Sequence, residues 1–569
     1  MENVKTIYQE LSEERKKLQS EGLLPNWLTT SAWQMLKEKY TTEEHPDLYS
    51  IYKRVSATAA KHLPLELREE YEHKFFNLMY NGWLALSTPV LSNMGTDRGC
   101  AVSCSGNFIG DDVYEFGNSI REIGVLSKHG FGTSSCLSDI RPRGATIRSG
   151  GRASGIAPLL DSHVRLSRFI SQGNTRRGSW AGYIPLSHYD FWEICDRMVN
   201  EPDDCNVGWN VSQKFIDELD AGDEDSIARY QRAMKVKMLT GKGYFFFIDK
   251  VNKANPPMYA DHGLSVKASN LCTEITLHSD EFHTFTCVLS SMNLAKYDEW
   301  KDTDAVQTAI VFLDCVCEDF IKQGRGIKGL EKAVRFTENS RALGLGTLGF
   351  HTYLQQNMID IESFEAHNLN QLIFKGIKEE AVKATKWLAK KLGEPKWCKG
   401  HGVRNTHLLA VAPNTSSALI CGGVSQGIEP VYKNVFIQAS AAGEVERINP
   451  VLLDLMKSKG VYNEDTINQI VKDNGSVQLV DWLTDEEKAV VKTAFEINQE
   501  VLVRLASARQ RYICQAQSLN LFFSSDAPEE EISRIHQLAF KDKYIKSLYY
   551  LRSEAGVRAS SGECIACEG

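Results

Sequence analysis

Between about residue 86 and residue 450 the chain alternates short, β-rich apolar runs such as "GYFFFIDKV" with helical stretches such as "FEAHNLNQLIFKGIKEEAVKATKWLAKKL". A strand that is apolar along its whole length needs cover on both faces, and intervening helices provide it, so the alternation requires an α/β architecture. No Pro- or Gly-rich linker, internal repeat or low-complexity block interrupts it, which favours one large domain over several. Upstream, residues 1 to about 85 carry charged faces with apolar positions three and four apart, as across "DLYSIYKRVSATAAKHL", and read as helices. Downstream, Thr484 and Glu487 make a capping box that predicts one helix with an apolar stripe of Val490, Ala494, Ile497, Val501 and Leu505. "GLGTLG", Gly344 to Gly349, spells a dinucleotide fingerprint, but the polar "VRFTENSRAL" before it is unlike the required buried strand. We expect those glycines to serve close backbone packing instead.

With 569 residues, 42% hydrophobic and 24% charged, the composition is that of a soluble globular protein. A net charge of −8 gives no overall footprint for nucleic acid or for an anionic membrane. The N-terminal residues are charged throughout and no apolar run approaches 18 residues, so the chain reads as cytoplasmic. Its fourteen cysteines are then reduced, and each is a buried hydrophobe or a working thiol. Cys315 and Cys317, in "AIVFLDCVCEDF", read as core. Cys564 and Cys567, in "ECIACEG", follow "RSEAGVRASSG", a stretch too small and polar to bury itself. They suit a mobile dithiol, or two ligands of a zinc site shared with other cysteines. No metal ligand set is read elsewhere.

Two further features carry chemistry. From Arg141 to Arg177 there are eight arginines, no lysine and one acid, Asp161, with glycine-rich pieces between them. Arginine forks beside flexible backbone amides suit phosphates, whereas a merely solvated basic face normally mixes in lysine and acids. "SNLCTEI" places Asn270, Cys272 and Glu274 two apart, and on an extended segment these share a face. An amide, a thiol and a carboxylate then point into one space.

Those residues, together with "LSTP", "CVLSSMNL", "RALGLGTLGFH", "APNTSSALI", "GIEP", "GEVERINPVLLDLM", "QAQSLN" and "SLYYLR", resemble in order and spacing the large subunit of ribonucleotide reductase from about residue 80 onward. The resemblance implies a ten-stranded α/β barrel of two antiparallel five-stranded halves, with Cys272 on an inner finger loop. It implies a helical region over 1–85, a catalytic barrel over 86–552 and a redox tail over 553–569. Cys272 is then the thiyl radical site, Glu274 the base, Asn270 the group holding the sugar, and Cys104 with Cys287 the reducing pair. Cys564 and Cys567 renew that pair and are themselves renewed by thioredoxin or glutaredoxin. Asn414, Thr415, Ser416 and Ser417 match the substrate-phosphate loop, and Thr88 and Ser103 match positions lining the same pocket. Asp111 and Arg141 match the site of a deoxynucleoside triphosphate or ATP effector. The extra arginine of "NTRRG" leaves the relay to the substrate pocket between Arg176 and Arg177.

Adjacent tyrosines alone are more often packing residues, but here Tyr549 and Tyr550 match the hole-transfer pair of class I enzymes. That class implies a separate small subunit carrying its own metal cofactor, no covalently bound cofactor on this chain, and a homodimer at least with effector. The rival readings are an adenosylcobalamin-dependent enzyme and an inactive nucleotide-sensing paralogue, the latter disfavoured because every working residue is present. The 86 residues before "STP" leave no room for an ATP-cone in this sequence, so dATP inhibition of the cone type is not expected. The roles of Cys100, Cys136 and Cys421 stay open.

Overall fold

The structure is a computed structural model and describes residues 7–172, 176–440 and 443–554. Four helices come first: α1 (Ile7–Ser20), α2 (Thr30–Lys39), α3 (Leu48–Ala60) and α4 (Arg68–Tyr80). Their starts are written in the sequence. The Thr29 side chain accepts from the Ala32 amide, and Asp47 and Ser50 form a reciprocal capping box. Along α3, Leu48, Ile51, Tyr52, Val55 and Ala59 are buried at helical spacing. This face packs on the helix Ala305–Gly324, with Phe75 of α4 edge-on to Phe312 at 5.3 Å. Cys315 and Cys317 lie buried in that same helix, as the apolar run implied.

The barrel is built from β1 (Leu84–Leu86), β2 (Cys104–Phe108), β3 (Gly132–Cys136), β4 (Trp180–Pro185), β5 (Val207–Val211), β6 (Tyr244–Phe247), β7 (Phe285–Asn293), β8 (Leu343–Leu348) and β9 (Ser547–Leu548). β2 to β6 lie side by side in parallel, joined by helical crossovers. β7 runs antiparallel to β2, and further along the same edge to β1, while β8 pairs in parallel with its other edge. From β8 the ladder passes to residues 408–411, where Ala410 N donates to Leu345 O at 3.2 Å, and then to residues 515–518, where Ser518 N donates to Val411 O at 2.9 Å. Tyr549 N donates to Leu519 O at 2.8 Å, and β9 returns antiparallel to β6. The sheet therefore closes on itself as two parallel sets that meet antiparallel at β2/β7 and β6/β9. Ten members are reached only by counting the two bridged segments, because β1 stands outside the ring.

Both faces of these strands are covered, and every residue of β6 and β7 is buried. Glycines let the wall close tightly. A Cβ on Gly344 in β8 would sit 2.9 Å from Cys287 Sγ, so the "GLGTLG" run is a packing device, as expected.

One expectation fails. The helix capped by Thr484 and Glu487 stops at Val490, and a second, capped by Asn498, covers Gln499–Gln510. Tertiary partners capture the amides between: Ala494 N donates to Val431 O at 2.8 Å and Asn498 N to Glu362 Oε1 at 2.7 Å. Val490, Ala494, Ile497 and Leu505 are buried all the same. Among the described residues no helix is long and apolar enough to cross a membrane.

Candidate active site

A hairpin projects into the barrel between β6 and β7, its legs bridged antiparallel at Val266 and His278. The segment at its tip is not extended. Leu271 and Cys272 lie in a turn closed by Thr273 in the left-handed region at φ 70°. Asn270, Cys272 and Glu274 converge because the chain reverses there, not because they share a strand face. A β-branched residue at positive φ costs roughly 1–3 kcal/mol, and ties on both sides offset it. Asn270 Oδ1 accepts from Ile275 N across the turn at 3.2 Å. Ser134 and Tyr183 donate to the Ser269 and Asn270 carbonyls from β3 and β4 at 2.8 and 2.6 Å. From the opposite wall, Ser518 Oγ donates to Cys272 O at 2.6 Å and Ala516 N to Glu274 O at 2.8 Å.

The sulfurs meet around this tip. Cys104 on β2 faces Cys287 on β7 in direct antiparallel register. Opposed residues there have Cα atoms about 4.5–5.5 Å apart, a separation a disulfide can span. Asn270 Nδ2 lies 3.1 Å from Cys104 Sγ, and Cys104 Sγ lies 3.9 Å from Glu274 Oε1. Ser518 Oγ donates to Glu274 Oε2 at 3.2 Å. Gln515 Nε2 reaches Cys287 Sγ at 3.5 Å, and burial pushes the Cys287 thiol well up. Behind the tip, the Tyr549 hydroxyl lies 3.5 Å from Cys272 Sγ, and the Tyr549 and Tyr550 rings stand 4.2 Å apart. Tyr244 on β6 packs on both rings, at 4.6 and 5.3 Å. The fully buried Lys237 donates to Gly243 O at 3.1 Å and to Tyr549 O, and desolvation lowers its ammonium to about 7.

The residues matched to substrate binding gather at one rim. Asn414, itself left-handed at φ 59°, opens the short helix Thr415–Ile420. Its side chain turns inward, donating to Thr347 O at 3.2 Å and accepting from Ser291 Oγ at 3.1 Å. Ser417 Oγ donates to Leu86 O at 3.0 Å, and Ser103 Oγ to Ser87 Oγ at 2.9 Å. Thr88 Oγ1 meets the Tyr40 hydroxyl at 3.0 Å, and Ser416 is buried. Thr415 lies on a cavity of about 840 Å³ between the N-terminal helices and the hairpin Val435–Ser440/Gly443–Ile448.

Asp111 and Arg141 form an ion pair at 2.5 Å. Elsewhere in the arginine window, acids from outside it partly neutralise the charge: Arg143 pairs with Glu193 at 2.6 Å and Arg168 with Asp204. Arg176–Arg177 pairs antiparallel with Ser171–Gln172. The backbone does not choose between the two arginines as relay. Cys564 and Cys567 lie outside the described residues. Cys100 and Cys421 are buried thiols pushed up to about 12 by desolvation, and Cys136 is raised by the same cause, which suits packing.

Sequence reasoning missed Tyr244, Lys237, Gln515 and Ser518. Only the last two had a signal, in the quoted "QAQSLN".

A family model for the barrel domain of ribonucleotide reductase matches residues 102–229, 228–397 and 396–551, and one for its all-alpha domain matches residues 26–99. The chain is 34% identical to a putative ribonucleoside-diphosphate reductase large subunit of Frog virus 3, over 95% of this chain and 99% of that one. It is 30% identical to the large subunit of Invertebrate iridescent virus 3, over 85% and 88%. Among solved structures, the Actinobacillus ureae class Id ribonucleotide reductase alpha subunit superposes with a TM-score of 0.86 at 37% identity, over 93% of this chain and 97% of that one.

Proposed function

The chain belongs to the ribonucleotide reductase large-subunit family and so reduces ribonucleotides to deoxyribonucleotides, and we propose the following division of labour for that reaction. A small subunit with its own metal cofactor oxidises Tyr550, the hole passes to Tyr549, and Tyr549 takes hydrogen from Cys272. The Cys272 thiyl removes the 3′ hydrogen of the ribose while Glu274 accepts the 3′ hydroxyl proton and Asn270 orients the sugar. The Cys104–Cys287 dithiol protonates the departing 2′ hydroxyl, which leaves as water, and delivers its second hydrogen with two electrons to the 2′ carbon, while Glu274 returns its proton to the 3′ oxygen. Cys272 then returns hydrogen to the 3′ carbon. The products are a deoxyribonucleotide and a Cys104–Cys287 disulfide.

The observation that carries this reading is the 3.5 Å contact between the Tyr549 hydroxyl and Cys272 Sγ, on a tip that also faces Cys104. A tyrosine route into the thiol favours a small-subunit radical source over adenosylcobalamin. The reducing pair is buried, Cys104 at 5% exposure and Cys287 at 0%, so a bulky reductase cannot reach it directly. Cys564 and Cys567 therefore exchange with it and are renewed by thioredoxin or glutaredoxin. Thr88, Ser103 and residues 414–417 take the substrate, a ribonucleoside diphosphate. Asp111, Arg141 and one of Arg176 and Arg177 read the effector across a homodimer. Residues 1–85, 86–552 and 553–569 are the helical region, catalytic barrel and redox tail.

The test is Cys272→Ser, assayed with the small subunit and, separately, with adenosylcobalamin. Deoxynucleotide formation should vanish while the tail still exchanges disulfides with thioredoxin; retained turnover refutes the assignment.

A further inference from the structure

One cluster outside the thiol chemistry is built like a metal centre. "LHSDEFH", residues 277–283, ends the outgoing leg of the hairpin and leads into β7. His278 Nε2 lies 2.9 Å from Asp280 Oδ2, and His283 Nδ1 lies 2.9 Å from Asp280 Oδ1. One ligand atom from each of the three residues lies within 4.8 Å of the others. Ligands bound at 2.0–2.2 Å around a tetrahedral ion stand roughly 3.4 Å apart, so a small swing of either imidazole closes the set.

Each ring is also held from behind. His278 Nδ1 meets Ser265 O at 2.8 Å and Ser265 N at 3.2 Å, and His283 Nε2 faces the Asn339 amide at 3.2 Å. Far-side contacts of this kind aim the near nitrogen of a ligating histidine. Trp397 packs on both rings, at 5.8 and 5.1 Å, with Phe336 5.5 Å behind it, so the inner side is dry. The Asp280 side chain keeps a third of its surface in solvent, a way in for an ion. Asp280 Oδ1 also accepts from the Phe282 and His283 amides at 2.8 Å, which fixes the carboxylate.

We propose that His278, Asp280 and His283 bind one Zn²⁺-class divalent ion, which fastens the outgoing leg of the thiol-bearing hairpin to the start of β7. Two imidazoles and one carboxylate suit a borderline ion, with water as fourth ligand, better than Mg²⁺ or Ca²⁺, which prefer all-oxygen sets. The ion sits four residues after Glu274 and four before Cys287, and so braces both arms of the active site without touching substrate.

The three residues make the same contacts as a bare hydrogen-bonded clasp, and metal titration separates the two. The full chain carrying Cys564→Ser and Cys567→Ser, to remove the tail dithiol as a competing ligand, is stripped with chelator and titrated with Zn²⁺ by calorimetry and with Co²⁺ by absorbance. One saturable equivalent per chain is expected, with a tetrahedral Co²⁺ spectrum free of thiolate charge transfer. Asp280→Asn or His283→Gln should weaken it by about 100-fold or more, and Asn339→Ala by about tenfold. No saturable equivalent, unchanged binding in D280N and H283Q, or a sulfur-ligated spectrum would each overturn the proposal.

Discussion

Replacing Tyr549 by phenylalanine separates the two roles open to a buried tyrosine. The ring is fully buried against Tyr244 and Tyr550, and phenylalanine preserves that packing. What is lost is the hydroxyl that meets Cys272 Sγ at 3.5 Å. As structure, that is one buried hydrogen bond, about 0.5–1.5 kcal/mol, or a melting shift of about 4 °C or less. If the hydroxyl only positioned the sulfur, a barrier change of about 1 kcal/mol would slow turnover about fivefold. If it carries the hole, phenylalanine cannot lose a phenolic proton, and turnover should fall at least about 1000-fold, the equivalent of about 4 kcal/mol. The assay is steady-state deoxynucleotide formation with saturating small subunit, with thermal melting on the same preparation. A Tyr549→Phe enzyme that melts normally and keeps more than about a tenth of its activity would refute the relay.

Further outcomes follow from the same geometry. After a single turnover of the Cys564→Ser, Cys567→Ser enzyme, peptide mass spectrometry should find Cys104 joined to Cys287; a different pairing contradicts their role. Lys237 has a folded pKa near 7 against an unfolded value of 10.5, so its stabilisation is present above 10.5 and lost as pH falls through 7. Chemical denaturation from pH 7 to 9 should show wild type gaining on Lys237→Met by at most about 1.4 kcal/mol per pH unit; a flat difference means the ammonium stays charged. Gly344→Ala places a methyl 2.9 Å from Cys287 Sγ and should cost about 1–3 kcal/mol in urea unfolding. Asp111→Ala breaks a part-exposed ion pair, so stability should move by about 1 kcal/mol or less. The effector-driven change in substrate preference should nevertheless disappear in competition assays.

The α/β class was legible because strands such as "YFFF" are apolar on both faces, and the N-terminal helices because their caps and apolar spacing are local. Ring closure was implied by the family resemblance but was not legible in the local pattern. Residues 408–411 and 515–518 are too short to show any period, and only their partners in β8 and around β9 define them. At the hairpin, the spacing of Asn270, Cys272 and Glu274 pointed to one shared space but to the wrong backbone. Thr273 sits where glycine or asparagine would have announced a turn, and a threonine at φ 70° gives no such sign. The interruption after Val490 was hidden because its cause, Glu362 and Val431, lies far away in sequence. Lys237 reads as an ordinary helix-surface lysine until the fold buries it under Tyr549. His278, Asp280 and His283 were not singled out, because nothing in the sequence says that the two imidazoles face one carboxylate.

The strand that completes the ring, Ser547–Leu548, is followed at once by Tyr549 and Tyr550. Lys250 and Lys546 brace this stretch, reaching the carbonyls of Ala539 and Phe540 and of Cys514 and Gln515. During synthesis, β6 must therefore wait with a bare edge until residues 547–548 have emerged. A chain cut short before residue 547 loses its wall and its stacked tyrosine pair together, and its open edge invites aggregation. On the proposed tyrosine route, nascent or truncated copies thus receive no radical until the barrel that contains it has shut.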